Sequence, residues 1–363
     1  TEFGVFISFD DGASWSRMQL DLPITPVTDM VVKDKNLAIA TQGRGVYILD
    51  DLSVFHQLTS SVTEDVICLL KPTDAYRMGA FNGKRKPPKS AGENHHNGGQ
   101  FFFNINQAIS SEDTVTFELL EKDGSLIRKF SSKAEEKKDS LTAEQGSNSF
   151  VWDMRYPNAE GFPGMILWAG GLAGPKALPG EYKARLSMNG EQVETDFTIL
   201  ADPRSTSSIE DLKVQFDFVQ QSNDKLSETH KAIKDIRAIR GQLKDLSARL
   251  EDDSVHQKIK DQIKSIQESM TAIEEALYQT KNKSGQDPLN YPIRLNNKLA
   301  AVKSEASYGD YRPTDQAIAV ANEMTAMINA ELDKWEALNT TEIKALNEMV
   351  LNAKIELIQV PKD

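Results

Sequence analysis

The chain has 363 residues, of which 39% are hydrophobic and 26% charged, a composition typical of a globular protein with two or three domains. Its formal net charge of -12 repels phosphate backbones, so nucleic acid is excluded as an expected partner. No apolar run reaches the roughly 18 residues that a membrane-spanning helix needs, so no transmembrane segment is expected.

Residues 1–58 predict four or five short strands. Apolar runs at 4–8, 27–32, 37–40 and 45–49 are separated by tight turns. Asp10-Asp11-Gly12 predicts one of these turns, because glycine tolerates the positive φ that such turns require. The chain opens inside this pattern at Thr1, and we expect further strands upstream of it.

Residues 62–201 predict a second β-rich region of longer, alternating strands. Asp123-Gly124 and Asn189-Gly190 are hairpin signals between such strands. Seven short strands joined by turns of this kind predict a β-sandwich. The predicted strands lie near residues 65–70, 100–107, 114–121, 125–130, 148–154, 181–188 and 192–200.

From residue 205 onward the pattern changes to helix. Ser207 or Ser208 is the predicted N-cap of one long amphipathic helix, which ends in the charged run 251–254. A second helix, a shorter one at about 293–306 and a last one beginning at Pro313 follow, and a break in the last one is predicted near Asn339-Thr340. Four helices joined by short loops predict an antiparallel bundle.

The octapeptide at residues 8–15, SFDDGASW, matches the pattern Ser-x-Asp-x-Gly-x-x-Trp in full. It resembles the Asp-box (BNR repeat) of sialidase-like and sortilin-like β-propellers. The pattern suits a hairpin in which Asp10 accepts backbone N–H groups, Gly12 takes the strained dihedral and Trp15 packs onto the blade core. The resemblance implies that Ser8, Asp10, Gly12 and Trp15 are structural, and that they face away from the central ligand channel.

Three further pieces extend the resemblance along the chain. Residues 41–52 resemble the closing strand of a bacterial sortilin-like (Vps10-like) propeller, with Arg44 facing either a channel or a neighbouring blade. Trp152-Asp153-x-Arg155 and the later Pro-Gly-x-Tyr at 179–182 resemble an immunoglobulin-like sandwich appended to the same proteins. Residues 291–299 and 309–314 resemble the helical tail that follows it.

The order of these pieces implies three domains. They are the last blade or blades of a propeller at 1–58, an immunoglobulin-like β-sandwich at 62–201 and an α-helical bundle at 205–363. A propeller closes with about four to eight blades, so most blades would lie outside this chain. The cysteine-rich module of animal sortilins is missing from the pattern, since the chain has one cysteine.

The resemblance implies a secreted, periplasmic or outer-membrane-associated bacterial protein. Its expected role is non-catalytic binding or scaffolding, with a protein or glycan ligand held mainly by the other blades and a partner on the helical bundle. Two alternatives stay open, namely the accessory part of a glycan-acting hydrolase and a subunit of a larger envelope complex. No catalytic constellation is visible, and no cofactor is expected.

Two minor features have alternative interpretations. His95-His96, in a loop rich in Asn and Gly, suits either a metal or ligand loop or a solvated loop, and no third ligand is evident, so no metal is expected. Cys68 lies in an apolar run and is interpreted as a small buried hydrophobe rather than a reactive thiol.

Overall fold

The computed structural model describes residues 1–58, 62, 64–78, 92, 95–251 and 253–355. It divides into two compact units. The first, here called the β unit, comprises Thr1–Met154 and Pro179–Arg204, and the second, the helical unit, comprises Arg155–Leu178 and Ser205–Asp363. The predicted order of β-sheets followed by a helical C-terminal region is confirmed, whereas the three-domain division stays a prediction.

Two small sheets occupy the first fifty residues of the β unit. β1 and β2 form an antiparallel pair, and β3, β4 and β5 form a three-stranded antiparallel sheet in chain order. The chain then enters a 3-10 turn at Leu52–Gln57, capped by the Asp51 carboxylate. The strands are Phe6–Ile7, Ser16–Arg17, Val27–Lys33, Asn36–Thr41 and Gly45–Leu49.

The rest of the β unit contains a five-stranded sheet of order β10-β9-β12-β13-β7 and a three-stranded sheet of order β11-β8-β6. Each predicted strand between 62 and 201 has a counterpart within a few residues. The predicted hairpin at Asn189-Gly190 is confirmed, since both residues have positive φ. The strands β6 to β13 are Ile67–Leu69, Ala75–Tyr76, Gly99–Ile105, Val115–Glu121, Leu126–Ser131, Gly146–Trp152, Gly180–Met188 and Glu191–Leu200.

Aromatic side chains hold these two sheets together. The Phe101 ring of β8 makes edge-to-face contacts with Phe117 of β9, at 5.1 Å between centroids, and with Phe197 of β13, at 5.0 Å. Trp152, at the end of β11, meets Phe197 at 6.2 Å and a right angle. Such contacts add about 0.5–1.5 kcal/mol each beyond the area they bury, so this aromatic layer is the core of the β unit.

Five helices make up most of the helical unit as far as residue 355, where its described part ends. Their caps follow from the sequence, because Ser208 and Asp211 form a reciprocal capping box and the Asp253 carboxylate accepts the N–H groups of Val255 and His256. A π-turn at Asn339–Ile343 separates the last two helices, where a break was predicted. The helices α1 to α5 are Ile209–Ser247, Ser254–Leu277, Leu295–Ala306, Asp315–Leu338 and Lys344–Asn352.

One predicted boundary in this region is wrong. Pro313 was expected at the first helical position, but the Thr314 hydroxyl accepts the N–H of Ala317 and is the N-cap of α4. The shared core of the helices contains Leu226, Ile233, Ile266, Met270 and Leu299, which are all fully buried. In the described part of the chain, no helix combines the length and apolarity needed to cross a bilayer.

Candidate functional site

The octapeptide at residues 8–15 forms the turn between β1 and β2, and a hydrogen-bonded network holds it. Asp10 Oδ1 accepts the Ser14 N–H and the Ser8 hydroxyl, both at 2.8 Å, while Asp10 Oδ2 accepts the Ser14 hydroxyl at 2.6 Å. The Ser8 hydroxyl oxygen in turn accepts the N–H of Gly12 at 2.7 Å. Gly12 has a φ of +90°. Asp10 thus accepts an N–H group inside the turn and Gly12 has the positive φ, whereas the assignment of these residues to an Asp-box stays a prediction.

The network also fixes the charge of Asp10. The hydroxyl and the N–H of Ser14, followed by the hydroxyl of Ser8, stabilise the carboxylate and lower the pKa of Asp10 to about 2. Both carboxylate oxygens accept hydrogen bonds from within the turn, because all partners of Asp10 lie within four residues of it. This arrangement stabilises the turn, and a carboxyl group with so low a pKa is poorly suited to act as a general acid or base near neutral pH.

The expected burial of Trp15 is wrong. The side chain is 63% exposed, and its ring lies over the turn, where Nε1 donates to Gly12 O at 3.1 Å and a Cβ on Gly12 would lie 3.6 Å away. A single two-stranded pair has no second layer to receive an indole. The ring instead lines an open cleft of about 720 Å³ together with Phe6, Phe9 and Phe55.

The sheet of β3, β4 and β5 has apolar side chains on both faces. Leu37 and Ile39 lie on one face and are buried in a small core. The register pairs Val31 with Ala38 and Ala38 with Ile48, so these side chains share the opposite face. There Ile48 is 64% exposed, and Val46, two residues away on the same strand and the same face, is 70% exposed. An apolar face open on this scale is a typical interaction surface.

The remaining predicted residues lie apart from the turn at residues 8–15. Arg44 is an exposed residue in the turn between β4 and β5. His95 and His96 are also exposed, and His95 Nδ1 lies 2.8 Å from His96 O. Both histidines line a cavity of about 610 Å³ that also includes Asp74 and Tyr76. The predictions for Arg44 as a channel residue and for the histidine pair stay untested.

A group of potential metal ligands occurs at the start of α2, where the sequence had suggested nothing. Each of Glu251, Asp253 and His256 offers one ligand atom, and these three atoms lie within 4.8 Å of one another. Asp253 Oδ1 already accepts two helical N–H groups at 2.8 Å, and Oδ2 lies 2.6 Å from His256 Nδ1. The positive end of the helix dipole opposes a cation there, so this group is a helix cap.

Buried polar residues of the helical unit were missed by sequence reasoning. Lys303 is 1% exposed, and its Nζ donates to Asn223 Oδ1 at 2.7 Å and to Ala173 O at 3.0 Å. Burial, with a smaller contribution from Arg155, lowers the pKa of Lys303 to about 8. Burial also lowers the pKa of His230, which is fully buried. Both groups contact neutral partners inside the unit.

Cys68 has a half-buried side chain on β6. Burial, and secondarily the charge of Asp65, raises the pKa of its thiol. A raised pKa reduces the thiolate fraction at neutral pH and so disfavours reactivity.

Comparison with known proteins adds little to this geometry. No family model matches the chain, and no curated protein matches it. One solved structure that does match is named pT26-6p; it is 12% identical, the match covers 68% of this chain and 46% of that chain, and the TM-score is 0.12. The chain thus spans less than half the length of that protein, and a TM-score of this size carries no argument.

Proposed function

We propose that this chain is the non-catalytic binding or scaffold portion of a secreted or cell-envelope, sortilin-like β-propeller protein of bacteria. In this proposal residues 1–58 belong to terminal blades, residues 62–201 are an immunoglobulin-like spacer, and the helices are an antiparallel bundle with a surface for a partner. A protein or glycan ligand binds mainly to blades beyond this chain.

The observation that carries the proposal is the two-faced apolar sheet of β3, β4 and β5. A sheet buries one apolar face against each neighbouring layer, so a sheet with two apolar faces suits a position between two other sheets. Each blade of a propeller occupies such a position. The exposed Val46 and Ile48 then mark the side on which a neighbouring blade packs.

Two further features support the same proposal. The hydrogen bonds of Ser8, Asp10 and Gly12 form the compact turn that the Asp-box of these propellers requires. In the 62–201 region, Trp152 is buried against Tyr182 and Phe197 between a three-stranded antiparallel sheet and a five-stranded sheet that is antiparallel except at its β13–β7 edge. A central tryptophan between two sheets suits an immunoglobulin-like sandwich.

The open face is tested by measuring association of the chain and its binding of the dye ANS. We expect the chain to bind ANS and to self-associate as its concentration rises in sedimentation velocity. The double variant Val46→Lys/Ile48→Lys is expected to reduce both without loss of stability, because both side chains are mainly exposed. The exposed Leu289→Lys in the helical unit is the matched control and is expected to change neither.

Two results would count against the proposal. A chain that stays monomeric and binds no ANS would have no exposed apolar face for a neighbouring blade to pack against. Release of 4-methylumbelliferone from a panel of umbelliferyl glycosides by the native protein would favour the glycan-acting hydrolase instead.

A further inference from the structure

Residues Arg155–Leu178 form an irregular arm that belongs to the helical unit, although the residues on both sides of it belong to the β unit. The arm folds back on itself, because Tyr156 N donates to Pro175 O at 3.0 Å and Ala159 N donates to Leu172 O at 2.8 Å. Its tip, between residues 160 and 171, has neither helix nor strand. Its main-chain groups therefore need partners from elsewhere.

Side chains of α1 supply some of these partners. The Glu160 N–H donates to the Ser227 hydroxyl at 3.0 Å, and His230 Nδ1 lies 2.5 Å from Glu160 O. Lys234 Nζ donates to the Glu160 carboxylate at 2.6 Å. One residue of the arm is thus held through its N–H, its carbonyl and its side chain by three positions of a single helix.

Tyr278 and helix α3 hold the rest of the tip. The Tyr278 hydroxyl accepts the Ile166 N–H at 3.1 Å. Asn297 clamps Trp168, because its Oδ1 accepts the Trp168 N–H and its Nδ2 donates to the Trp168 carbonyl, both at 2.7 Å. The Ser304 hydroxyl accepts the Gly171 N–H at 2.9 Å. Proteins bind an extended peptide ligand by such main-chain hydrogen bonds.

Apolar anchors complete the resemblance to a bound peptide. Phe162 is buried in the helical core, where its ring meets His230 at 5.3 Å and Tyr278 at 4.9 Å, both edge to face. The guanidinium of Arg237 covers the Phe162 ring at 4.6 Å. Gly170 allows the closest approach, since a Cβ there would lie 2.9 Å from the backbone of Ala300.

The arm also carries a cost that favours release. Lys303 is buried against a carbonyl and an amide oxygen, which compensate a charge less well than a carboxylate does. Among the described residues, Asn296 Oδ1 is buried without a hydrogen-bond partner. Lys303 contacts the arm through the Ala173 carbonyl, and Asn296 is the neighbour of Asn297, which holds Trp168. Their desolvation offsets part of what the apolar anchors contribute.

We propose that the surface formed by α1, α3 and Tyr278 is a receptor groove for an extended peptide, and that the arm of a second copy of this chain can occupy it. An element whose flanking residues belong to another unit is suited to exchange, because the same contacts re-form between two copies at little cost. Nothing in this proposal depends on a propeller, so its failure and the failure of the proposed function are distinguishable.

Disulfide trapping tests the exchange in the full-length chain. A Cβ on Gly171 would lie 3.8 Å from Ser304 Oγ, so cysteines at these two positions come within reach of each other. In a Cys68→Ser background, a chain with both Gly171→Cys and Ser304→Cys is expected to form an intrachain disulfide. When the two single variants are mixed, incubated and oxidised, we expect a crosslinked species of twice 40.4 kDa on a non-reducing gel.

The controls separate exchange from chance collision. Gly171→Cys mixed with Lys298→Cys, an exposed position on the same helix, is expected to give little crosslink. Adding Asn297→Ala to both partners removes the clamp on Trp168, and we expect crosslinking to become about tenfold faster. If a variant loses helical circular dichroism, the pair Glu160→Cys and Ser227→Cys probes the other end of the arm.

Two outcomes would overturn the proposal. If the double variant crosslinks within one chain but the mixture does not exceed the Lys298→Cys control, the arm does not exchange. If neither intrachain pair forms a disulfide in a folded chain, the arm is not docked in this groove.

Discussion

Replacing Lys303 should change how the stability of the helical unit depends on pH. The folded unit holds the pKa of Lys303 at about 8, against an ordinary value of 10.5. Between these two pH values the unfolded chain binds the proton and the folded chain does not, so the free energy of unfolding rises with pH across that window. The difference in pKa corresponds to about 3 kcal/mol of unfolding free energy. Below pH 8 the folded unit lacks all of this stability, because the lysine is then charged in both the folded and the unfolded state.

Lys303→Met keeps the length of the side chain and removes the titration. At pH 7 the variant avoids the cost of burying a charge. It also loses two hydrogen bonds, which costs about 1–3 kcal/mol when acceptors are left without donors. Since these effects oppose each other, we expect a stability close to that of the native chain. At pH 10.5 we expect the variant to be less stable than the native chain by about 3 kcal/mol more than at pH 7.

The assay is urea unfolding followed by circular dichroism at 222 nm, repeated at several pH values from 7 to 10.5. Lys298→Met, at an exposed position of the same helix, is the matched control and should follow the native profile. The reasoning is refuted if the profiles of the native chain and Lys303→Met run parallel, since the buried lysine would then titrate alike in the folded and unfolded states.

Three other predictions concern single residues. Trp15→Ala should change the free energy of unfolding by less than about 1 kcal/mol, against about 3–5 for a buried tryptophan, in the same urea assay; a larger loss would mean that the ring is buried. The Ser14 amide should stay protected from hydrogen exchange even below the ordinary pKa of an aspartate and lose protection only as the pH falls towards 2, while Asp10→Ala should lose it at every pH. Gly170→Ala should destabilise the helical unit by about 1–3 kcal/mol through its clash with Ala300, whereas Gly241→Ala in α1, with open space around it, should stabilise the helix by about 1 kcal/mol; equal effects would contradict the close approach of the arm.

Local signals in the sequence predicted local structure well. The hydrogen bonds of the turn at residues 8–15 are visible in the sequence because all partners of Asp10 lie within four residues of it. The strands β8 to β13 were predicted because alternation and turn residues are both short-range patterns. Trp15 was placed wrongly for the same reason, since a motif specifies the hairpin but not the layer that covers its ring.

The arm was missed because its partners are distant in sequence and because it has no period of its own. Trp168 and Asn297 are 129 positions apart, and Ala173 and Lys303 are 130 apart. Glycine and proline in residues 155–178 indicate a loop, and a loop is expected at the surface. The arm instead packs against the helices, because they direct polar side chains into their own core, where these side chains bind main-chain groups of the arm.

Those polar side chains have a period that reveals their function. On α1, the aromatic Phe216 and the polar Asn223, His230 and Arg237 recur every seven residues, beside the apolar series Leu212, Val219, Leu226 and Ile233. Residues seven apart share one helical face, and Phe216 and the three polar residues all contact the arm. Their partners are, in order, the Tyr156 ring, the Ala173 carbonyl, the Glu160 carbonyl and the Phe162 ring.

A helix that packed only against other helices would gain from apolar residues along this face, because buried polar groups stabilise only when they are paired. On this face Asn223 donates to the Ala173 carbonyl and His230 Nδ1 lies against the Glu160 carbonyl, so both residues serve an irregular segment whose carbonyls need partners. A polar series at heptad spacing, adjacent to an apolar one, is therefore the sequence signal for a helix that holds an extended peptide. The exchange experiment asks from which copy of the chain that peptide comes.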